Sequence, residues 1–184
     1  MISAKLVAHT TPTIAVGASN PEEFISYCAR VSNPSNQNNY DTAEGLLKYC
    51  IRNQHWSIFE MVNAVVEVKA PRDITRQMLR HRSFSFQEFS QRYSDEIEFC
   101  DREVRMQDKT NRQNSISIDD FYNGPNQFVR DCWDEDVKEI VELVKEHFKD
   151  QRKIGVAKEV ARVLLPEGLT LSTLYANGTL RSWM

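Results

Sequence analysis

The strongest constraint on the fold is a long amphipathic pattern over residues 126–150. Its apolar residues recur with a helical period, while eight acidic residues between 131 and 150 fall on the other face. The apolar positions are Val129, Trp133, Val137, Ile140, Val141, Val144 and Phe148. The pattern predicts one long helix with a buried apolar stripe and a solvated acidic face.

Shorter helices are predicted elsewhere. Asn20 and Pro21 suit the N-cap and the first turn of a helix, because Asn accepts a backbone N–H and Pro needs no donor there. The apolar face of this helix is predicted to hold Phe24, Tyr27, Cys28 and Val31. Further helices are predicted over residues 42–52, 73–82 and 156–165.

Strands are predicted between these helices. The valine-rich segment 58–70 alternates in polarity and ends at Pro71, and residues 2–8 form a short apolar segment. Residues 83–93 are predicted to be an extended segment or a loop. Strands are predicted over 97–106 and 169–175, with a polar loop over 107–117 and a turn at Asn177-Gly178. Because no repeat or linker divides the 184 residues, we expect one α+β domain.

The composition excludes several classes of protein. With 41% hydrophobic and 27% charged residues the chain is typical of globular proteins, and it lacks an apolar run long enough to span a membrane. The first twenty residues do not resemble a signal peptide. The four cysteines show no paired spacing, which argues against a disulfide scaffold or zinc site and predicts reduced thiols in the cytoplasm.

The net charge of −3 conceals an arginine-rich segment. Seven of the 14 arginines fall between residues 72 and 105, and Arg76 and Arg80 would share one face of the predicted helix. Such a cluster is stable if an anion neutralises it, and arginine favours two-pronged recognition of a phosphate or a carbonyl edge. Ser90 and Arg92 are candidates for holding one phosphate.

Two other interpretations of this segment are open. The arginines could form a solvated face that pairs with the acidic helix, although the interleaved aromatic residues favour partial burial, where unpaired arginine is costly. Residues 76–93 could instead bind single-stranded nucleic acid through arginine and aromatic side chains.

His55 and His81 have no partner at metal-ligand spacing, so no metal site is predicted. Glycine-rich dinucleotide and phosphate-binding motifs are absent from the sequence.

Four ordered blocks resemble one family. Arg80-His81-Arg82, followed by seven residues and Ser90, is similar to the signature of the flavin-dependent thymidylate synthases, also called the thymidylate synthase complementing protein family. Around it, Arg76-Gln77, Ser85, Glu88 and Arg92-Tyr93 also match. The other three blocks are Ala29–Ser32, His55–Glu60 and Glu159–Pro166.

The resemblance implies a reductive methylation of dUMP to dTMP. In this family methylenetetrahydrofolate gives the carbon, NADPH reduces a bound FAD that supplies hydride, and no cysteine nucleophile is needed. It also implies a small, mainly antiparallel sheet packed against several helices, and a homotetramer whose subunits share active sites.

Carried over by position, the resemblance assigns ligands to both nucleotides. The FAD set is Ser57, Arg80, His81, Arg82, Glu88 and Ser32, together with Asn177 or Thr179. His55 is expected to help position flavin or folate. The dUMP set is Gln77, Met78, Leu79, Arg80, Glu88, Phe89, Ser90, Gln91, Arg92 and Arg162. Of these, Arg80, Glu88 and Arg162 are the expected catalytic residues.

The resemblance also predicts a further helix beyond Met184. In the family that helix carries an arginine that polarises the uracil ring, and Arg181 does not align with it. We therefore expect a truncated form, and a protein that assembles without catalysing is a third hypothesis.

Overall fold

A computed structural model describes residues 2–184 of the chain. In this part the α-helices are α1 (Pro21–Ala29), α2 (Ala43–Arg52), α3 (Arg72–Met78), α4 (Ile118–Tyr122), α5 (Gln127–Lys153), α6 (Lys158–Ala161) and α7 (Leu180–Trp183). The strands are β1 (Ser3–His9), β2 (Asn63–Pro71), β3 (Ser85–Glu88), β4 (Arg105–Gln107), β5 (Ser115–Ser117) and β6 (Leu171–Thr179). Short 3-10 helices cover Ile14–Val16, Pro34–Asn36, Trp56–Glu60 and Arg162–Leu164.

The chain divides into two compact units, each built from segments that are distant in sequence. The first, called here the sheet unit, contains Ile2–Ala70, Thr75–Phe89 and Thr173–Met184. The second, called the helical unit, contains Pro71–Ile74 and Ser90–Ser172. Neither unit is therefore a separate stretch of sequence.

The sheet unit is organised by four strands in the order β1-β2-β6-β3. Strand β1 pairs antiparallel with β2, from Ser3 opposite Lys69 to His9 opposite Ala64, and β3 pairs antiparallel with β6. A second, two-stranded sheet joins β4 and β5 in the helical unit. These pairings confirm the α+β class and the small antiparallel sheet.

The core of the sheet unit joins α1, α2 and the Trp56–Glu60 turn. Its buried members are Ile25, Cys50, Phe59 and Val62. Burial of the Ile25, Phe59 and Val62 side chains contributes roughly 1.5–3 kcal/mol each. The Asn20 side chain accepts the Glu23 N–H at 2.8 Å, as the N-cap prediction requires. The predicted apolar face of α1 is wrong at one end. Val31 is exposed because α1 has already ended at Ala29.

The helical unit is dominated by α5, whose 27 residues confirm the predicted long helix. Phe148, Ala161 and Leu165 form its buried core, with Val144 packed beside them. The stripe is covered only toward its C-terminal end, because Trp133 remains 38% and Ile140 47% exposed. The apolar stripe of the predicted helix is therefore only partly buried.

Several predicted boundaries are corrected. Residues 58–60 belong to a 3-10 helix, so the strand predicted over 58–70 begins only at Asn63. Residues 97–106 form one bridge, Phe99 with Thr170, and the start of β4. The polar loop 107–117 is largely a hairpin turn that leads into β5. Strand β6 continues through Asn177-Gly178, where a turn was predicted, because Asn177 pairs with Ser85 on β3.

The hairpin between β4 and β5 is closed by one carboxylate. Asp108 accepts the backbone N–H groups of Thr110 and Asn111 and the side-chain amide of Asn114. These hydrogen bonds, led by that of Thr110, hold the pKa of Asp108 well below its usual range.

Among residues 2–184, none of the helices has the combination of length and apolar character that crossing a membrane requires.

Candidate active site

The arginine-rich segment leaves α3 earlier than predicted. Helix α3 ends at Met78, and the N–H groups of Arg80 and His81 bond to the carbonyls three residues earlier. Arg80 therefore lies on a turn and not on the helix face of Arg76. The chain must leave the helix here because Ser85 already pairs with β6, so tertiary pairing overrides local helix propensity.

The turn of residues 80–83, called here the RHR turn, presents its charges to solvent. Arg80, His81 and Arg82 are all exposed. No hydrogen bond or ion pair of the Arg80 or Arg82 side chain occurs among residues 2–184. Each guanidinium therefore keeps its full set of N–H donors for an external anion. The same described residues contain no cluster of His, Cys, Asp or Glu suited to a metal ion.

A cavity of about 230 Å³ adjoins the RHR turn. It is lined by Met78, His81, Phe84, Phe86, Ala176, Ser182 and Trp183. Among them, the Phe84 ring lies edge-on to His81, with ring centroids 6.2 Å apart, and edge-on to Trp183 at 4.6 Å. Of these residues, only Met78 and His81 were predicted as ligand contacts.

Glu88 and Phe89 end strand β3 beside α3. The Thr75 hydroxyl, which is fully buried, donates to Glu88 Oε1 at 3.1 Å. The Phe89 N–H bonds to the carbonyl of Thr173 at 2.8 Å, which fixes the backbone at the end of the strand. Thr75 therefore orients the carboxylate of Glu88. The sequence gives no local signal for this role, because a buried threonine in a helix cannot be told apart from other core residues.

The predicted Asn177–Thr179 zone separates into two environments. Asn177 is exposed on β6, directly opposite Ser85, so its amide can reach a ligand. Thr179 caps α7, with its hydroxyl accepting the Ser182 N–H at 3.2 Å. On the same strand, Tyr175 donates to Glu67 at 2.7 Å, and this hydrogen bond raises the pKa of Tyr175.

The upstream candidates lie elsewhere on the sheet unit. His55 precedes the 3-10 helix Trp56–Glu60, is exposed, and meets the Tyr49 ring edge-on at 5.9 Å. Ser57 and Ser32 are also exposed. The arginine next to Ser32 has a structural role, because buried Arg30 donates to Thr42 Oγ1 at 2.7 Å.

The helical unit holds the predicted phosphate ligands in a tight turn. The Arg92 N–H approaches Ser90 Oγ at 3.4 Å, the Tyr93 N–H bonds to the Ser90 carbonyl at 3.2 Å, and Gln91 is buried. Arg92 Nε lies 3.6 Å from Glu159 Oε2. Arg162 in turn donates to the Glu159 carbonyl at 3.1 Å. The fold of this unit therefore brings two of the four sequence blocks together.

The carboxylate of Asp95, three residues after Arg92, pairs with two cations. Asp95 accepts from Arg152 at 2.7 Å and lies 2.9 Å from Lys158. The hydrogen bond from Arg152, then that from Lys158, holds the pKa of Asp95 below its usual value. Lys158 also reaches the Tyr93 carbonyl at 3.5 Å, so these cations join α5 and α6 to the turn. No sequence motif indicates Asp95 or Lys158.

The fold and these residues define an α+β protein with exposed arginines on short turns. The model of the thymidylate synthase complementing protein family matches residues 5–184. The chain belongs to this family, as the four blocks predicted.

Named relatives agree with this assignment. The chain is 44% identical over 187 residues to a probable flavin-dependent thymidylate synthase of Paramecium bursaria Chlorella virus 1, covering all of this chain and 82% of the relative. It is 41% identical over 186 residues to the flavin-dependent thymidylate synthase of Synechocystis, again with 100% and 82% coverage.

A solved structure shares the fold. It is the UMP/dUMP methylase PolB from Streptomyces cacaoi, bound with 5-Br dUMP. The TM-score is 0.73 at 28% identity, covering 99% of this chain and 74% of that one. The alternative of a module that binds single-stranded nucleic acid finds no support in these comparisons.

Proposed function

We propose that this protein is a flavin-dependent thymidylate synthase that converts dUMP to dTMP by reductive methylation. Its carbon donor is methylenetetrahydrofolate and its reductant is NADPH. The observation that carries the proposal is the family match across residues 5–184, together with relatives that bear this name at 41–44% identity over the whole chain. A similar solved structure, bound with a brominated dUMP, supports the choice of substrate.

The chemistry of the donor groups fits FAD. Arg80 and Arg82 present guanidinium groups without intramolecular partners among residues 2–184, and a pyrophosphate is the kind of anion such groups bind. The proposed FAD ligands are Ser57, Arg80, His81, Arg82, Glu88 and Asn177, with Thr179, His55 and Ser32. Bound FAD, once reduced by NADPH, supplies the hydride that completes the methyl group.

The proposed phosphate site of dUMP is the Ser90–Arg92 turn. Ser90 offers a hydroxyl, the turn offers backbone N–H groups, and Arg92 offers a guanidinium that is only weakly engaged by Glu159 at 3.6 Å. An exposed ion pair of this length contributes little, so a phosphate can replace the carboxylate. The other proposed dUMP contacts are Gln77, Met78, Leu79, Arg80, Glu88, Phe89 and Arg162.

The proposed catalytic residues act through charge and orientation. Arg80 and Arg162 stabilise negative charge that develops on the uracil ring during methyl transfer, because positioned cations lower the energy of such a transition state. Glu88, oriented by Thr75, accepts a hydrogen bond from the substrate or the cofactor. A cysteine nucleophile has no part in this proposal.

The proposal includes a cytoplasmic homotetramer with shared active sites. Exposed large apolar side chains near the Ser90–Arg92 turn and Arg162 support association of subunits. Tyr93 is 82% exposed and Val163 is 81% exposed, and burial of such groups stabilises contacts between subunits. Light scattering of the purified protein tests the tetramer, and a monomer at micromolar concentration would contradict it.

Flavin binding tests the proposal at its first step. The purified protein, or protein incubated with FAD and then passed through a desalting column, is expected to retain the visible absorption bands of oxidised flavin. If folded protein leaves the column without flavin after incubation with excess FAD, the proposed cofactor is wrong.

The phosphate site is tested by Arg92→Ala. This variant is expected to lose measurable dUMP binding while it binds FAD with unchanged affinity, because the lost guanidinium belongs to the dUMP phosphate alone. Arg112→Ala is the matched control, since Arg112 is also exposed and has no hydrogen bond or ion pair among the described residues. Retention of dUMP binding by Arg92→Ala would refute the assignment of Ser90–Arg92.

A further inference from the structure

Helix α7 holds the RHR turn in place through two contacts. The Ser182 hydroxyl donates to the carbonyl of Ser83 at 3.1 Å. The Trp183 ring packs edge-on against Phe84 with ring centroids 4.6 Å apart and planes at 74°. Phe84 follows the turn directly and its N–H bonds to the His81 carbonyl at 3.4 Å. The end of the turn is thus fixed both at its backbone and at its first aromatic side chain.

The helix that makes these contacts is itself anchored to the sheet unit. Trp183 donates its indole N–H to the Ala64 carbonyl on β2 at 3.3 Å. The Leu180 N–H bonds to the Val62 carbonyl at 2.8 Å, and Arg181 forms an ion pair with Glu60. These contacts hold α7 against β2 and against the 3-10 helix Trp56–Glu60. Because α7 also contacts the RHR turn, the position of α7 fixes the position of the turn.

A glycine makes the aromatic contact possible. A Cβ on Gly178 would lie 2.5 Å from two ring carbons of Phe84 and 3.3 Å from Ser182 Cβ. Only a residue without a side chain allows the Phe84 ring to lie against β6 and meet Trp183. Three elements therefore share one packing arrangement: the RHR turn, β6 and α7.

We propose that Trp183 is a positioning residue for FAD binding, acting through Phe84 on the backbone of the RHR turn. The inference rests on the proposed function, in which His81 and Arg82 contact FAD. Neither Arg80 nor Arg82 is fixed by a side-chain partner among residues 2–184. The orientation of these ligands then depends on the backbone of the turn, and a mobile turn must be ordered at the expense of affinity when a ligand binds.

The test compares two tryptophans of matched character. Trp183 is 37% exposed and Trp133 is 38% exposed, and each donates its indole N–H to a backbone carbonyl. Trp183→Ala is expected to raise the Kd for FAD by about tenfold, which corresponds to about 1.4 kcal/mol. Trp133→Ala should leave that Kd unchanged. Trp183→Phe retains a ring against Phe84 and should recover most of the affinity.

A double-mutant cycle distinguishes positioning from general destabilisation. If Trp183 acts through Phe84, Trp183→Ala should have little further effect on FAD affinity in a Phe84→Ala background. Equal effects in both backgrounds would overturn the proposed route. The variants are compared at a temperature where circular dichroism shows them folded, and Ser182→Ala serves as a milder second variant if Trp183→Ala does not fold.

The outcomes separate this inference from the proposed function. If the wild-type protein does not bind FAD, the proposed function itself fails. If the wild type binds FAD and folded Trp183→Ala binds it equally well, the proposed function stands and the positioning role of Trp183 is wrong. An affinity lost in Trp183→Ala, recovered in Trp183→Phe and unchanged in Trp133→Ala is the result that supports the role.

Discussion

The buried hydroxyl of Thr75 on α3 donates a hydrogen bond of 3.1 Å to the carboxylate of Glu88 on β3. The two residues flank the RHR turn, one before it and one after it in sequence. Because Thr75 is fully buried, its hydroxyl has few other positions to adopt. The contact fixes the carboxylate that we propose as catalytic.

Replacement of Thr75 by valine tests this relationship. Thr75→Val keeps the shape and removes the donor, so we expect a loss of about 1–3 kcal/mol in the free energy of unfolding and weaker dUMP binding. Thr170→Val is the matched control, because Thr170 is equally buried and its hydroxyl bonds to the Pro166 carbonyl. The control should lose stability but keep dUMP affinity, as measured by urea unfolding and calorimetry. Equal dUMP affinity in both variants would show that Thr75 does not orient Glu88.

At the proposed phosphate site, Glu159 would compete with the phosphate of dUMP for Arg92. Its carboxylate lies 3.6 Å from the guanidinium, and both side chains are more than half exposed. Glu159→Gln removes this competitor, so we expect the Kd for dUMP to fall about two- to fivefold at low salt. The gain should shrink as salt is raised, because screening weakens exposed charges. Glu142→Gln on α5, which also breaks an exposed ion pair, should leave the Kd unchanged. A raised Kd in Glu159→Gln would mean that Glu159 orients Arg92 and does not compete for it.

The ion pairs of Asp95 predict an acid-dependent contribution to stability. Hydrogen bonds from Arg152 and Lys158 lower the pKa of Asp95 in the folded chain. A group whose pKa is lowered by folding stabilises the fold above its unfolded pKa of about 3.9, and this contribution is lost as pH falls through the folded value. Asp95→Asn should therefore lower the Tm at pH 7.

The difference in Tm between wild type and Asp95→Asn should begin to shrink as pH falls below about 4 and should disappear as pH falls through the lowered pKa of the folded protein. Asp101→Asn is the control, because Asp101 is exposed and accepts no side-chain hydrogen bond among residues 2–184. Thermal unfolding between neutral and acid pH measures both variants. A constant difference across that range would show that the charge of Asp95 contributes nothing.

Replacement of glycine by alanine is predicted to change the free energy of unfolding in opposite directions at Gly178 and Gly45. Gly178→Ala places a methyl group 2.5 Å from the Phe84 ring, which Trp183 confines, so we expect a loss of about 1–3 kcal/mol from overpacking. Gly45 lies inside α2 with open space around its Cα. Gly45→Ala should therefore gain about 0.5–1 kcal/mol in helix stability. Urea unfolding measures both, and a neutral Gly178→Ala would contradict the packing described for α7.

Local signals in the sequence predict most of the helices. Asn20 and Pro21 begin α1, and the apolar period of residues 126–150 predicts α5, because capping and periodicity depend on neighbouring residues. These features need no knowledge of distant contacts. Arg80, Arg82 and Arg92 of the family signature are exposed, whereas Arg30 in the Ala29–Ser32 block is buried.

The features that sequence reasoning missed depend on tertiary pairing. Helix α3 ends before Arg80, and β6 passes through Asn177-Gly178, because β3 and β6 pair with each other from Ser85 to Glu88. No local pattern announces that pairing. The role of Thr75 is hidden for the same reason, since its partner Glu88 lies across the RHR turn.

The most direct test of the central claim is the conversion of dUMP itself. Flavin-loaded protein is incubated with dUMP, methylenetetrahydrofolate and NADPH, and the nucleotides are separated by chromatography. The account predicts that dTMP accumulates, and that none forms when the flavin, the folate or the NADPH is omitted. Absence of dTMP from folded protein that binds both FAD and dUMP, or formation of dTMP without flavin, would contradict it.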